Sequence, residues 1–368
     1  MEICKNCVLD STVPNFFLNN QGFCNFCFDW KNKKNKFINK SDLDIDKEIT
    51  KIINNIKSYS KKNNSAYDCI LGLSGGTDSS FVAYHLWKMG LKTLIIHLDN
   101  NWNTSVSNSN INKILEVTKF DYKTLILDWE EFKDLQLSFL KAGVPDIELV
   151  TDHAIFAYIQ NFALRNRIKF IFSGVNFATE HSVVPEWGWR KDDFNHIKKI
   201  HNNYGKTKLT NYPKNYILKR FFFEKIIKKI EIVYFLNVIN YNSTQAKEIL
   251  KKEFNWIAYA NKHEESFFTK FFQNYILPVK FKIDKRKIHY SCLIRNNELE
   301  RKKALEMLQV PSYNYDQFDN EKKFFLKKLC LTEKEFSKIM KENPKKHSDL
   351  SWDWTNNKLI KLLKGRFI

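Results

Sequence analysis

Residues 71–80 read LGLSGGTDSS; an apolar run, Tyr67–Leu73, leads into them, and an amphipathic one from about Asp78 to Gly90 follows. Strand, Ser-Gly-Gly turn and helix in that order aim the backbone N–H groups of Gly75, Gly76 and the first helical turn at one point. The helix dipole favours an anion there. Ser74, Ser79 and Ser80 add hydroxyl donors around Thr77, and Asp78 stands where it would cap the helix or orient a Mg²⁺ ion.

The spacing is not that of a Walker loop, which needs GxxxxGK[ST] and a lysine on the outer phosphates; no lysine lies inside this loop. It resembles the PP-loop of the ATP pyrophosphatases. That resemblance implies that Ser74, Gly75, Gly76, Thr77, Asp78, Ser79 and Ser80 bind the outer phosphates of ATP while a nucleophile attacks the α-phosphorus.

Outward from the loop, apolar runs at 67–73, 91–98, 122–127 and 169–172 alternate with helical patterns near 104–118, 129–140 and 151–166. This order predicts an α/β fold with a doubly wound parallel sheet, whose ligands sit at the carboxyl ends of the strands. Asp99 follows the second run, and Ser173, Gly174 and Glu180 follow the fourth, within expected reach of a nucleotide. Beyond about residue 205 the pattern loosens, with a possible strand at 230–236 and helices near 243–253, 300–309, 321–330, 332–341 and 356–364. Trp30–Lys62 reads as one helix leading into the main domain.

Cys4, Cys7, Cys24 and Cys27 form CxxC-x16-CxxC, spacing suited to a closed tetrahedral site. Structural Zn²⁺ is the expectation, with an iron–sulfur cluster as the alternative. The remaining cysteines, Cys69, Cys292 and Cys330, stand alone. The expected domains are a Cys₄ zinc ribbon at 1–35, a linker helix at 36–66, the PP-loop ATP-binding domain at 67–210, and a mainly helical, substrate-binding region at 211–368 that completes the site.

At 368 residues, 43% hydrophobic and 27% charged, the chain is expected to fold into two or three domains. Without an apolar run long enough to span a bilayer or a recognisable signal peptide, no membrane insertion is expected and the expected location is cytoplasmic. Lys+Arg 60 against Asp+Glu 41 gives +19, a field that suits nucleic acid, an anionic membrane surface, or phosphorylated and carboxylated small molecules.

Several further stretches complete a pattern: HLDNNWN, PDIELVTDHAI, SGVNFATEHS, HEES with FFTKFFQNYILPVKF, DKRK and ALEMLQVPSY. Taken with the cysteines and the loop, and in this order, they resemble the N-acetyl sugar amidotransferase family of PP-loop enzymes over nearly the whole chain. The resemblance implies an adenine-nucleotide α-hydrolase-like fold and conversion of a sugar acetamido group to an acetamidino group through an O-adenylyl imidate. The setting would be flagellar-glycan or lipopolysaccharide O-antigen biosynthesis, and the substrate a sugar or nucleotide sugar, such as a pseudaminic or legionaminic acid derivative. Asp78 and Glu180 would organise Mg²⁺, Lys262, Arg286 and Lys287 would neutralise phosphate charge, and Asp152, His153 and His263 would handle protons or recognise the sugar. No glutaminase triad is recognisable in the chain, so ammonia is expected from a separate glutaminase subunit. The alternative is a PP-loop enzyme that thiolates tRNA; lone cysteines outside any CxxC of the catalytic part argue against it, so nucleic acid is not an expected partner.

Overall fold

The computed structural model describes residues 2–259 and 264–350. Between the Cys-rich N-terminus and the sheet lie two helices where one was expected, α1 (Asn25–Phe37) and α2 (Asp42–Asn63). Asn39 interrupts them in the left-handed region at φ 64°, and the Ser41 side chain restarts the helix by accepting from Asp44 N–H.

Five parallel strands form one sheet: β1 (Cys69–Gly72), β2 (Thr93–Asp99), β3 (Asp121–Ile126), β4 (Phe170–Phe172) and β5 (Glu231–Val233), in the order β3-β2-β1-β4-β5. The first four are connected through α3 (Thr77–Lys88), α4 (Ser105–Thr118), and then α5 (Trp129–Ala142) with α6 (Leu149–Arg165). The central strands read as unbroken apolar runs because both their faces are covered. Cys69, Leu71, Ile95, Phe170 and Phe172 face one core with Phe81, Val82 and Leu86 of α3. Ile70, Leu94, Ile96 and Ile171 face another with Ile159 and Ala163 of α6. Period-2 alternation between two buried faces defines a doubly wound sheet.

The order reverses between β2-β1 and β1-β4, so the switch point lies between β1 and β4. In such sheets the ligand crevice opens there, at the strands' carboxyl ends. Both loops singled out in the sequence, SGGTDSS after β1 and SGVNFATE after β4, leave the sheet at this point.

The possible strand at 230–236 is present as the short β5, paired in parallel with β4 (Phe170 to Glu231, Phe172 to Val233). The sheet therefore continues past residue 210. Between β4 and β5 run α7 (Phe177–Glu180), α8 (Phe194–Tyr204) and α9 (Ile217–Phe221), the last extended as a π-turn through Ile226. After β5 come α10 (Ser243–Phe254), α11 (Phe267–Phe271, continued as a π-helix to Phe281), α12 (Lys285–Arg295), α13 (Arg301–Gln309), α14 (Tyr315–Leu329), α15 (Glu333–Lys341) and α16 (His347–Leu350). The helix expected at 321–330 begins six residues earlier, and the pattern at 356–364 lies outside the described residues. α6 starts after Glu148 without a side-chain cap.

The C-terminal helices are not a separate body. Phe132 and Phe139 of α5, Ile197 of α8, Phe268 of α11, Phe325 of α14 and Phe336 of α15 share one core. Two inward carboxylates of α5 tie the 205–212 loop to it. Glu131 accepts from the N–H groups of Thr210, Asn211 and Tyr212, and Asp134 from those of Lys206 and Thr207 and from the His201 ring. Among described residues no helix is long and apolar enough to cross a membrane.

Burial alone would raise the Glu131 pKa, but its hydrogen bonds hold it below the usual carboxylate value. A depressed carboxylate stabilises the fold above its unfolded pKa, and the contribution is lost as pH falls through the folded one. Glu131→Gln, which sets an amide donor against backbone donors, should cost about 2 kcal/mol in urea unfolding at neutral pH. The gap to the unsubstituted protein should narrow in acid; a gap independent of pH would contradict this role.

Candidate active site

The SGGTDSS loop crosses from β1 to α3 at the switch point. Gly75 sits at φ 80°, and a Cβ there would come within 2.7 Å of the Ser107 carbonyl oxygen, so only glycine fits. Its own carbonyl accepts from three side chains: Trp256 Nε1 (3.0 Å), Tyr259 hydroxyl (3.2 Å) and Asn110 Nδ2 (3.4 Å). Ser107 Oγ donates to the Ser74 carbonyl at 2.8 Å. With its carbonyls drawn back toward α4 and the 256–259 segment, the turn leaves Ser74, Gly76, Thr77, Asp78 and Ser79 lining a cavity of about 1440 Å³.

The β4 exit forms the next wall. Gly174 packs so closely on α3 that a Cβ would lie 3.0 Å from Ser79 N, and Glu180 of α7 also lines the cavity. The Tyr241 hydroxyl donates to the Asp78 carboxylate. Burial, and then Asp78 itself, push the Tyr241 pKa well up, so the phenol keeps its proton. α3 begins after Gly76 with no side-chain cap, so Asp78 is not the cap that the sequence allowed.

Across the cavity, Lys191 pairs with Asp146 at 2.8 Å and with Asp152 at 3.0 Å. Burial alone would lower the Lys191 pKa; the two carboxylates outweigh it and hold the ammonium charged. α12 supplies Lys285, Arg286 and His289 to the same cavity. Asp284 caps that helix and pairs with Arg286 at 2.8 Å, and the guanidinium also donates to the Val310 carbonyl.

Of the expected site residues, Ser74, Gly76, Thr77, Asp78, Ser79, Gly174, Glu180, Asp152 and Arg286 line this one cavity, with Gly75 beneath it. Five do not line it. Ser80 is fully buried on the inner side of α3. Asp99, the last residue of β2, and Ser173, just after β4, accept from the N–H groups of Asn101 and Val175. His153 is buried on α6, its Nδ1 on the Lys191 carbonyl and its Nε2 accepting from Asn215 N–H, and burial lowers its pKa to about 4. Lys287 reaches Asp10 in the N-terminal region at 2.5 Å. Lys262 and His263 lie outside the described residues. Sequence reasoning passed over Tyr241, Asn110, Trp256, Tyr259 and Lys191, whose parts depend on contacts between distant segments.

The four N-terminal cysteines are buried, and their Sγ atoms lie within 4.8 Å of one another. Cys4–Cys27 and Cys7–Cys24 are 3.8 and 3.7 Å apart. Zn–S bonds of about 2.3 Å in a tetrahedron give an edge of about 3.8 Å, so the donor set fits a single zinc ion. The cluster docks on the helices beyond the cavity: Arg301 donates to the Cys4 and Cys7 carbonyls, Val8 N–H to Ser291, and the Arg295 guanidinium lies 3.8 Å from Cys27 Sγ.

Residues 265–364 match the family model described as LPS biosynthesis protein WbpG-like, C-terminal domain. The WbpG-like region begins at Glu265, which lines the cavity beside the loop, and contributes α12 with Lys285, Arg286 and His289. The matched region thus lines the same cavity as the SGGTDSS loop. The match agrees with the resemblance to the sugar amidotransferases drawn from the sequence. No curated protein matches the chain. Among solved structures, NMN synthetase from Francisella tularensis is similar at 12% identity and TM-score 0.30, over 61% of this chain and 92% of that one. NH3-dependent NAD synthetase from Campylobacter jejuni subsp. jejuni, in complex with the nitrate ion, gives 15% and 0.30, over 58% and 94%. At that degree of superposition neither carries an argument about this chain.

Because the cysteine cluster buttresses α12 rather than lining the cavity, its metal should be structural. Purified protein should carry one zinc per chain by elemental analysis, and Cys24→Ser should lose it together with a clear fall in melting temperature. Iron and visible absorbance in place of zinc would contradict this assignment.

Proposed function

We propose that the protein is an ATP-dependent amidotransferase that converts a sugar acetamido group into an acetamidino group. The observation that carries the proposal is that the WbpG-like region and an SGGTDSS loop at the sheet's switch point line one cavity. ATP fits the loop because a helix N-terminus and Ser74, Thr77 and Ser79 suit the outer phosphates. Asp78 and Glu180 offer oxygen donors suited to Mg²⁺, which would supply charge neutralisation on the departing pyrophosphate.

An acetamide carbonyl is a poor electrophile because its nitrogen donates into it. Attack of the carbonyl oxygen on the α-phosphorus breaks the bond to pyrophosphate, and loss of the amide proton gives the O-adenylyl imidate. Ammonia then adds to the imidate carbon and AMP leaves with the former carbonyl oxygen, so amide, ATP and ammonia become amidine, AMP and pyrophosphate. In this reading Arg286 faces the phosphates, and Tyr241 fixes Asp78 at the loop. Lys191, with Asp146 and Asp152, offers polar groups for the sugar at the opposite wall. Ammonia comes from a separate glutaminase, and the sugar belongs to lipopolysaccharide or a related glycan, in keeping with the description of the matched family. As for tRNA thiolation, Cys69 and Cys292 are buried and Cys330 does not line the cavity, so no sulfur carrier stands among the described residues of the site.

With an acetamido sugar labelled by ¹⁸O in the acetyl carbonyl, plus ATP, Mg²⁺ and ammonium, the label should appear in AMP. Asp78→Asn should lower the rate by about a hundredfold or more, as loss of an electrostatic group at a transferring phosphoryl centre does. Label left in the sugar, or release of ADP, would contradict the proposal.

A further inference from the structure

The α9 segment is amphipathic in the reverse of the usual sense. Its inward face is polar: Arg220 pairs with Asp192 at 3.1 Å and Glu224 at 2.8 Å, and Glu224 also accepts from Gln160 of α6 at 2.7 Å. The guanidinium stacks on Phe156, 4.7 Å from its ring centre, and Lys219 donates to Asn161. The outward face is apolar, with Leu218, Phe222 and Ile226 exposed at 67%, 44% and 59% at four-residue spacing. A helix stabilised only by burial would present the opposite arrangement.

Within 217–230 the exposed charges have one sign. Lys225, Lys228 and Lys229 are exposed beside it, while Glu224, the sole carboxylate in 217–230, is turned inward and paired. We infer that α9 docks the protein on an anionic lipid bilayer. The three apolar side chains would enter the acyl boundary, and the lysines would reach back to the phosphate groups, their stems lying along the interface. An exposed apolar ridge whose exposed charges within 217–230 are all cationic suits a deformable anionic surface. A protein partner would have to supply a matching apolar hollow edged with carboxylates. Arg220 ties the segment to Asp192, next to the cavity residue Lys191, so the ridge is anchored to the wall of the site.

The test is flotation of the full chain with vesicles of phosphatidylcholine alone or mixed with phosphatidylglycerol, at physiological salt. The unsubstituted protein should float with the mixed vesicles and not with the neutral ones. Leu218→Ser/Phe222→Ser/Ile226→Ser should reduce that binding about tenfold or more, with an unchanged melting temperature, because the removed groups face solvent. Lys225→Gln/Lys228→Gln/Lys229→Gln, which alters no packed side chain, should reduce it as well. Undiminished binding by either variant would assign adsorption to the overall charge and overturn the inference. So would failure of the unsubstituted protein to float, or self-association that the serine variant abolishes.

Discussion

The direction of one carbonyl group organises the site. A Gly-Gly turn has little conformational preference of its own, and a phosphate cradle works only if its N–H groups stay pointed outward. Here the Gly75 carbonyl is held from behind by an indole, a phenol and an amide, supplied by the 256–259 segment and α4. The loop is therefore preorganised from outside the turn, by Trp256 and Asn110 behind the cavity and by Tyr259 at its edge, and electrostatic stabilisation depends on such preorganisation.

The same economy extends outward. Asn296 and Glu298, just after α12, fix the segment that carries Tyr241: Asn296 donates to the Tyr241 carbonyl, and Glu298 accepts from the Ser243 and Thr244 N–H groups. α12 itself leans on the cysteine cluster through Lys287 to Asp10, Ser291 to Val8 and Arg295 to Cys27. A chain of contacts thus runs from the four-cysteine cluster at the N-terminus to the carboxylate of Asp78. The basic DKRK stretch divides along it: Arg286 turns to the cavity, and Lys287 to the buttress.

The parts legible in the sequence were those whose physics is local. Strands buried on both faces announce themselves as apolar runs, the Ser-Gly-Gly turn marks the switch point, and paired CxxC knuckles mark four thiols that gather at one point. Roles that depend on which way a side chain faces were not legible. Ser80 and Ser79 are neighbours, yet one helical step turns Ser80 into the core. His153 stands in a polar-looking stretch beside Asp152, but the α6 register buries the histidine and leaves the carboxylate at the cavity. β5 was legible only as a possibility, because three residues at a sheet edge give too short a run. Tyr241 and Trp256 were invisible, since each acts on a loop more than 160 residues away in the chain.

The central claim is that this cavity activates a carbonyl oxygen by cleaving ATP between the α- and β-phosphates before ammonia takes part. Isotope exchange between pyrophosphate and ATP, measured with an acetamido sugar but without ammonia or a glutaminase, tests it most directly. The account predicts exchange that requires the sugar and is abolished by Asp78→Ala. Exchange indifferent to the sugar, or none under conditions where the amidine forms, would contradict it.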